Sequence, residues 1–338
     1  MLLQKKNLLW VVALVIALFV PQMITNPAYR QIAVITLIFT ACTTSWNMFS
    51  GYSGYVALGS AAFYGTGAYT MALVANHMHV PGNGDMFWLV PLGGLAAVLV
   101  AIPVGLVALR VRRHTFVVIT IAIFFVFQLS AINANFTGGT GGLTLPYVPW
   151  QIQNYHLPFY YVALVVLVFA ILLSAGVRRS RFGLQLLAIR DDEDRALGLG
   201  VKVFQVKLTG FAMSAFTFGM GGALYAMMQG QIYPQFVFDP MFDITIALMA
   251  FFGGFGTLLG PIIGGLVLES AQQYLTVTYS NGSLYLILFG VLFLLVILFM
   301  PQGIVVFVRD RMAQRQDRLE SATKPASTET PVAQGVHS

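Results

Sequence analysis

Ten apolar runs follow one another along this chain, roughly 8–24, 32–49, 55–75, 87–109, 115–132, 159–177, 207–228, 240–252, 261–278 and 284–301, with nearly all charge confined to the connections. Most approach the ~20 residues that a helix needs to cross the hydrocarbon core of a bilayer. The run 240–252 is short, and 261–278 is interrupted by small residues. In lipid each backbone amide must pair inside the protein, so runs of this length span as helices. The expected fold class is therefore an all-α polytopic membrane protein of about ten transmembrane helices. Composition agrees, because only 9% of residues are charged, against about a quarter in soluble domains.

A net charge of +6 raises the question of nucleic acid, and the distribution answers it. With the N-terminus in the cytoplasm, Lys5, Lys6, Arg110, Arg112 and Arg113 are cytoplasmic, as are the basic residues of 178–207 and of the 309–324 segment. That places seventeen of the eighteen Lys and Arg inside and leaves Arg30 outside, the asymmetry that sets membrane orientation. Both termini are then cytoplasmic, and no nucleic-acid partner is expected. If 240–278 were a single span, the basic tail would lie outside, so two spans are the better parse, with a span plus re-entrant hairpin as the alternative. The N-terminal run has a basic start but no small-x-small cleavage site before Pro21, so an uncleaved first span is expected. Residues 1–308 form the transmembrane domain, and the polar 309–338 segment reads as a disordered cytoplasmic tail.

The longest cytoplasmic connection, 178–207, carries four consecutive acids, Asp191, Asp192, Glu193 and Asp194. Phe182, Leu186 and Ile189 precede them at helical spacing, and "RALGLG" supplies a glycine stop. The loop reads as a short amphipathic helix with a charged end, either a solvated connector or an element that docks on a cytoplasmic partner. Nothing in the chain converts energy by itself. There is no G-x-x-x-x-G-K-[ST] loop, no HExxH and no histidine in mid-span. No resident metal or cofactor and no enzymatic activity are expected. Glu269 lies deep in a span and Asp243 near the edge of another; these two acids are the whole support for an ion-coupled secondary transporter. The single cysteine, Cys42, sits in an apolar run and allows no disulfide framework.

Three segments, "GYSGYVALGSAAFYGTGAY", "AIRDDEDRALGLGVKVFQVKLTGFAMSAFTFGMGGALYA" and "FFGGFGTLLGPIIGGLVL", stand in order with suitable spacing. Together they resemble the LivM-type permease subunits of branched-chain amino-acid ABC importers, over roughly residues 30 to 305. The resemblance implies a type II importer-like bundle in the bacterial inner membrane. It further implies a second, homologous permease, two cytoplasmic ATPase subunits that bind ATP and Mg, and a periplasmic substrate-binding protein. The 178–207 segment then becomes the coupling loop, with Arg190, Asp191, Asp192, Glu193, Asp194, Ala196, Leu197 and Gly198 as its ATPase contacts. Substrates implied are branched-chain or related small amino acids, with urea or short amides as alternatives. The family usually has glutamine, serine and histidine where this chain has Tyr55, Ala57 and Ser60.

Membrane helices associate through small residues and interhelical hydrogen bonds, since lipid is as apolar as leucine. In 55–75, Ala57, Ala61 and Gly65 fall four apart, and Gly59 and Gly67 thin the neighbouring face. This span is expected to be central. Asn47, Gly51, Gly54, Tyr55, Gly59, Ser60, Gly65, Gly67 and Glu269 are expected to line the path or to pack the centre, and Asn47 suits an interhelical hydrogen bond. "SAAFYGTG" at 60–67 and "SAFTFGMG" at 214–221 form a faint internal echo. Gly253, Gly254, Gly256 and Pro261 mark a helix break that is either a cytoplasmic turn or part of a gate. "TGGTGGLTLP", 137–146, is either a plain loop or the place where a binding protein docks.

Overall fold

The computed structural model describes residues 15–278 apart from 25, 83 and 147, together with 290, 291, 294, 303–305 and 311. Residues 15–23 are helical, inside the expected first span. The rest of that span, nearly all of the expected tenth span and almost the whole tail lie outside the described residues.

Helix α1, Pro27–Trp46, begins where Asn26 accepts from the Ala28 amide (3.0 Å) and proline occupies the first turn. It continues into a π-helical turn, Asn47–Gly51. Then follow α2 (Ala61–His77), α3 (Val90–Ala108), α4 (Arg113–Asn133) and α5 (His156–Arg179). The loop 178–207 forms α6 (Arg181–Asp191) and α7 (Glu193–Gly198), and α8 spans Val203–Gln229. After the short α9 (Pro234–Val237) come α10 (Pro240–Gly253) and α11 (Gly260–Thr278). Strands β1 (Leu143–Thr144) and β2 (Gln231–Ile232) pair antiparallel, with Leu143 opposite Ile232. Six helical segments among the described residues are long and apolar enough to cross a membrane: Pro27–Gly51, Gly84–Ala108, Arg113–Asn133, His156–Arg179, Val203–Gln229 and Pro234–Gly253. The chain is a mostly helical, multi-pass membrane protein.

Two expectations need correction. The third span does not begin at 55, because residues 54–60 are non-helical and α2 starts at Ala61. Ala57 is thus off the helix and shares no face with Ala61 and Gly65. The coupling loop is not one amphipathic helix but two, divided at Asp192, whose extended backbone (φ −154°) starts a new turn and whose carboxylate caps it at the Arg195 amide (3.0 Å). Leu186 and Ile189 are fully buried, as their spacing predicts. The 240–278 region is two helices, folded back on each other so closely that a Cβ on Gly253 would overlap the Gly260 carbonyl.

The centre is built from α1, α2 and α8. A Cβ on Gly67 would overlap the Gly219 carbonyl oxygen, and one on Gly93 would sit 2.7 Å from Ala223 Cβ and 3.1 Å from the same carbonyl. Three helices thus meet at backbone contact, two of them carrying the paired octamers. Ser45 and Ser214 clasp α1 to α8 reciprocally, each hydroxyl donating to the other residue's carbonyl (3.2 and 2.9 Å). Thr40, Thr43 and Thr44 return their hydroxyl protons to carbonyls one turn back, so each of these three buried hydroxyls is paired.

One end of this bundle gathers the Asn47–Gly54 turn, Arg113, α6, α7 and the 254–259 break. Gly303 lies against Gly254 there, where an added Cβ would stand 2.7 Å from the Gly254 Cα. The other end carries Arg30, the 135–155 segment and the β1–β2 pair. Arg113 and the arginines of the 178–195 segment therefore share one end.

Candidate functional site: two helix breaks and the loop that ties them

Non-helical backbone at membrane depth persists only if protein groups satisfy it. For residues 54–60 the partners are mostly side chains, beyond the Gly54 amide, which donates to the Ser50 carbonyl (2.9 Å). Ser53 Oγ accepts from the Tyr55 amide (3.2 Å), Ser50 Oγ from Ala57 (3.2 Å) and Thr120 Oγ1 from Leu58 (3.3 Å), while Trp46 Nε1 donates to the Ala57 carbonyl (2.7 Å). Asp243 finishes the job. Its Oδ1 accepts from the Ser60 amide (2.8 Å) and its Oδ2 from Ala61 (3.2 Å), so the buried carboxylate sits on the N-terminus of α2. A helix N-terminus offers unpaired amides and a positive dipole end, which suits a carboxylate. Asp243 itself belongs to the first turn of α10, whose cap is Asp239. Gly54 enables the departure from helix with φ +74°, a conformation that side chains rarely adopt.

The second break, 254–259, is stitched to the first by Asn47. Its Oδ1 accepts from the Gly256 amide (2.7 Å), and its Nδ2 donates to the Thr257 carbonyl (2.8 Å). Both ends of the amide are used, and the contact is interhelical. Gly51 is held to glycine because a Cβ there would overlap Asn47 Oδ1. Gly254 and Gly256 both have positive φ, and Pro261 opens α11 beside Gly260.

Arginine ties the loop to the turn that precedes the first break and to the second break itself. Arg190 Nη1 donates to the Gly51 carbonyl (2.8 Å), and its guanidinium lies over the Phe255 ring (5.4 Å). Arg178 Nη1 donates to the Gly256 carbonyl (3.2 Å) and lies over Tyr52 (5.6 Å). From α4, Arg113 Nη2 donates to the carbonyls of Ile189 and Arg190 (2.6 Å each). These planar, always-charged donors match carbonyl targets that a flexible ammonium would hold less well.

Beside them is a buried ion pair. Lys207 Nζ lies 2.8 Å from Glu193 Oε1 and donates to the Tyr55 hydroxyl (3.0 Å), while the Tyr55 hydroxyl donates to Glu193 Oε2. Lys207 is 3% exposed and Tyr55 fully buried. Partial burial raises the Glu193 carboxyl, but hydrogen bonds from Lys207 and Tyr55, with the charges of Lys207 and Arg113, hold it below the usual carboxylate range.

The expected ATPase contacts thus divide. Asp191, Asp194, Leu197 and Gly198 are exposed, and Leu199 joins them. Asp194 meets Arg112 at 3.4 Å with both side chains in solvent, a contact of little energetic weight. Glu193 and Arg190 turn inward, and Ala196 is buried, so these three stand behind the exposed face. Among the expected central residues, Gly65 presses on the Phe238 ring and Gly59 on the Thr120 carbonyl. Glu269 is 1% exposed, and its Oε1 accepts from Gln273 (2.8 Å). Asp243, Lys207, Arg113 and Arg178 were absent from the expected set. Asp243 and Lys207 did carry a signal, as charges inside or beside long apolar runs. Among the described residues no three His, Cys, Asp or Glu come together as a metal site.

The family model for the permease component of branched-chain amino acid transport systems matches residues 28–297. The chain belongs to that family. It is similar to the high-affinity branched-chain amino acid transport system permease protein LivM of Escherichia coli K12, with 27% identity over 91% of this chain and 77% of the relative. The corresponding LivH protein of Salmonella typhimurium is 25% identical, covering 77% of this chain and 88% of its own length. BraD of Pseudomonas aeruginosa is 28% identical over 43% of this chain and 48% of its own. No solved structure gives a significant match. As a member of this family the chain is a transport permease subunit of an ABC importer rather than an enzyme.

Proposed function

We propose that this permease forms half of the translocation path of an ATP-driven importer for branched-chain or related small amino acids. It pairs with a second, homologous permease in the bacterial inner membrane, with both termini cytoplasmic. Two ATPase subunits, which bind ATP and Mg, dock beneath it, and a periplasmic binding protein delivers substrate. The observation that carries the coupling role is that one loop, 178–207, holds the turn just before the first helix break through Arg190 and the second break through Arg178. Its exposed face, Asp191, Asp194, Leu197, Gly198 and Leu199, is the surface offered to the ATPase. A push on α7 reaches residues 54–60 directly through Glu193, Tyr55 and Lys207. The glycine-rich 137–146 loop, anchored by the β1–β2 pair at the opposite end, is on the side from which the binding protein approaches.

In proteoliposomes, leucine uptake should require the second permease, both ATPases, ATP and the loaded binding protein. Uptake by this chain alone under a proton or sodium gradient would instead establish an ion-coupled transporter. Screening ligands on the co-purified binding protein decides between amino acids and urea or short amides.

A further inference from the structure

A groove of about 1210 Å³ opens between α1, α5 and α11. Its far half, away from the loop, is walled by the chain itself. Helix 15–23 lines it through Ile16, Ala17 and Val20, and Tyr160 donates to the Ala17 carbonyl (2.7 Å), holding that helix against α5. Tyr29 and Tyr274 stack at the same end, 6.4 Å between centroids. The near half is lined by Val168, Leu172 and Ala175 of α5, Leu37 of α1, Leu258 of the second break and Ile262 of α11, with Arg179 at its mouth. That arginine differs from its neighbours. Arg178 and Arg190 donate to the carbonyls of Gly256 and Gly51, whereas Arg179 is exposed and has no hydrogen bond or ion pair among the described residues. Arg181, two residues on, is in the same state.

Apolar walls with an unpaired guanidinium at the rim suit a ligand that is hydrocarbon at one end and phosphate at the other. A guanidinium matches phosphate oxygens bidentately, and basic sites between spanning helices seat anionic headgroups. The dimensions fit one leaflet. From Arg179 back to Val168, α5 rises ~16 Å at ~1.5 Å per residue, about half of the ~30 Å hydrocarbon core. Residues 1–14 are a poorer occupant. A helix continued from Ala17 down the groove reaches Lys6 within ~16 Å, which sets an ammonium among the apolar walls. We infer that the near half seats an acyl chain of an anionic phospholipid from the leaflet at the loop end, with its phosphate on Arg179. The lipid lies along the seam between α5 and the second break, beside the Arg178 tie that holds the loop to Gly256.

The test photolabels the full chain with its co-purifying subunits, in nanodiscs of equal phosphatidylglycerol and phosphatidylcholine. Leu172, exposed on the groove wall, is replaced by photoreactive p-benzoylphenylalanine, and mass spectrometry identifies what it captures. Phosphatidylglycerol adducts should exceed phosphatidylcholine adducts about fivefold, the ratio that ~1 kcal/mol of attraction per arginine gives. Adding Arg179→Gln should abolish that preference, whereas Arg110→Gln, which removes an exposed arginine outside the groove, should leave it. Equal labelling of the two lipids while Arg179 is present would overturn the site, and that arm needs no arginine variant. So would adducts on residues 1–14, which would make the chain's own N-terminus the occupant, or on a second permease, which would make the groove a subunit interface. A preference that survives Arg179→Gln, or that falls equally with Arg110→Gln, removes Arg179 as the headgroup contact and overturns the assignment. Labelling is read without transport, so its outcome is independent of the importer reading.

Discussion

The two ends of the bundle are held by different means. At the loop end, charged side chains reach across 76 to 139 residues of sequence to donate into backbone carbonyls, and one ion pair joins a buried lysine to a partly buried glutamate. At the opposite end, among the described residues, Arg30 is the one lysine or arginine, donating to the Ile24 and Gln153 carbonyls (2.6 Å each). Other ties there join neutral groups: a two-residue strand pair, Gln128 donating to the Phe238 carbonyl (2.6 Å) and Asn76 to Thr144 (2.8 Å). A few strong, long-range ties make the loop end a place where displacement of one segment is felt by several others. Many neutral contacts make the other end a frame.

Perturbing each end in turn tests that contrast. The largest effect is expected from Glu193→Gln, which leaves Lys207 charged and buried without its partner. A loss of about 3 kcal/mol follows from breaking such a pair, read as a lower thermal midpoint of the detergent-solubilised complex. Combining it with Lys207→Met should restore most of that loss, because the buried charge is gone. Next comes Arg190→Ala, which frees the Gly51 carbonyl and should cost ~2 kcal/mol, the scale of a hydrogen bond from a charged donor. More ATP should then be hydrolysed per leucine moved, and Arg190→Lys should not repair the ratio. Arg30→Gln at the opposite end should cost ~1 kcal/mol and leave the ATP-to-leucine ratio unchanged. If it uncouples as Arg190→Ala does, the two ends are not different in kind. The smallest effect, roughly 0.5 kcal/mol, is expected for Asn76→Ala, whose hydrogen bond is exposed.

Acid should act on the loop end through Glu193. Its carboxyl is held below the usual value, so the folded state binds the proton less readily than the unfolded chain. The stabilisation is fully present above the ordinary carboxylate range, near pH ~4.3, and is lost as pH falls through the lower folded value. A stability profile from pH 7 to 3 should therefore lose part of its acid limb in Glu193→Gln.

Much of the architecture was legible because lipid leaves few choices. Apolar length marked the helices, and the clustering of arginine marked which connections share an end. The buried stripe of the loop was equally open to reading, since Leu186 and Ile189 follow helical spacing in a polar segment. Residues 54–60 were not, because "GYVALGS" suits a tightly packed helix as well as an unwound strand of chain. What decides it is Asp243, 183 residues away, capping the late start of α2. Likewise the acid run 191–194 announced a charged surface, yet which acid turns inward depends on Lys207 and Tyr55, neither of which its local sequence displays. Charge near an apolar run flags such residues; only the fold says whom they meet.

The contact of Gly67, Gly219 and Gly93 has a kinematic consequence. It is made of backbone, with no side chain that can change rotamer to give a second low-cost arrangement. Helices α2, α3 and α8 must then turn as one rigid block through any transport cycle. In the proposed transport cycle the non-helical segments 54–60 and 254–259 are then the expected pivots among the described residues.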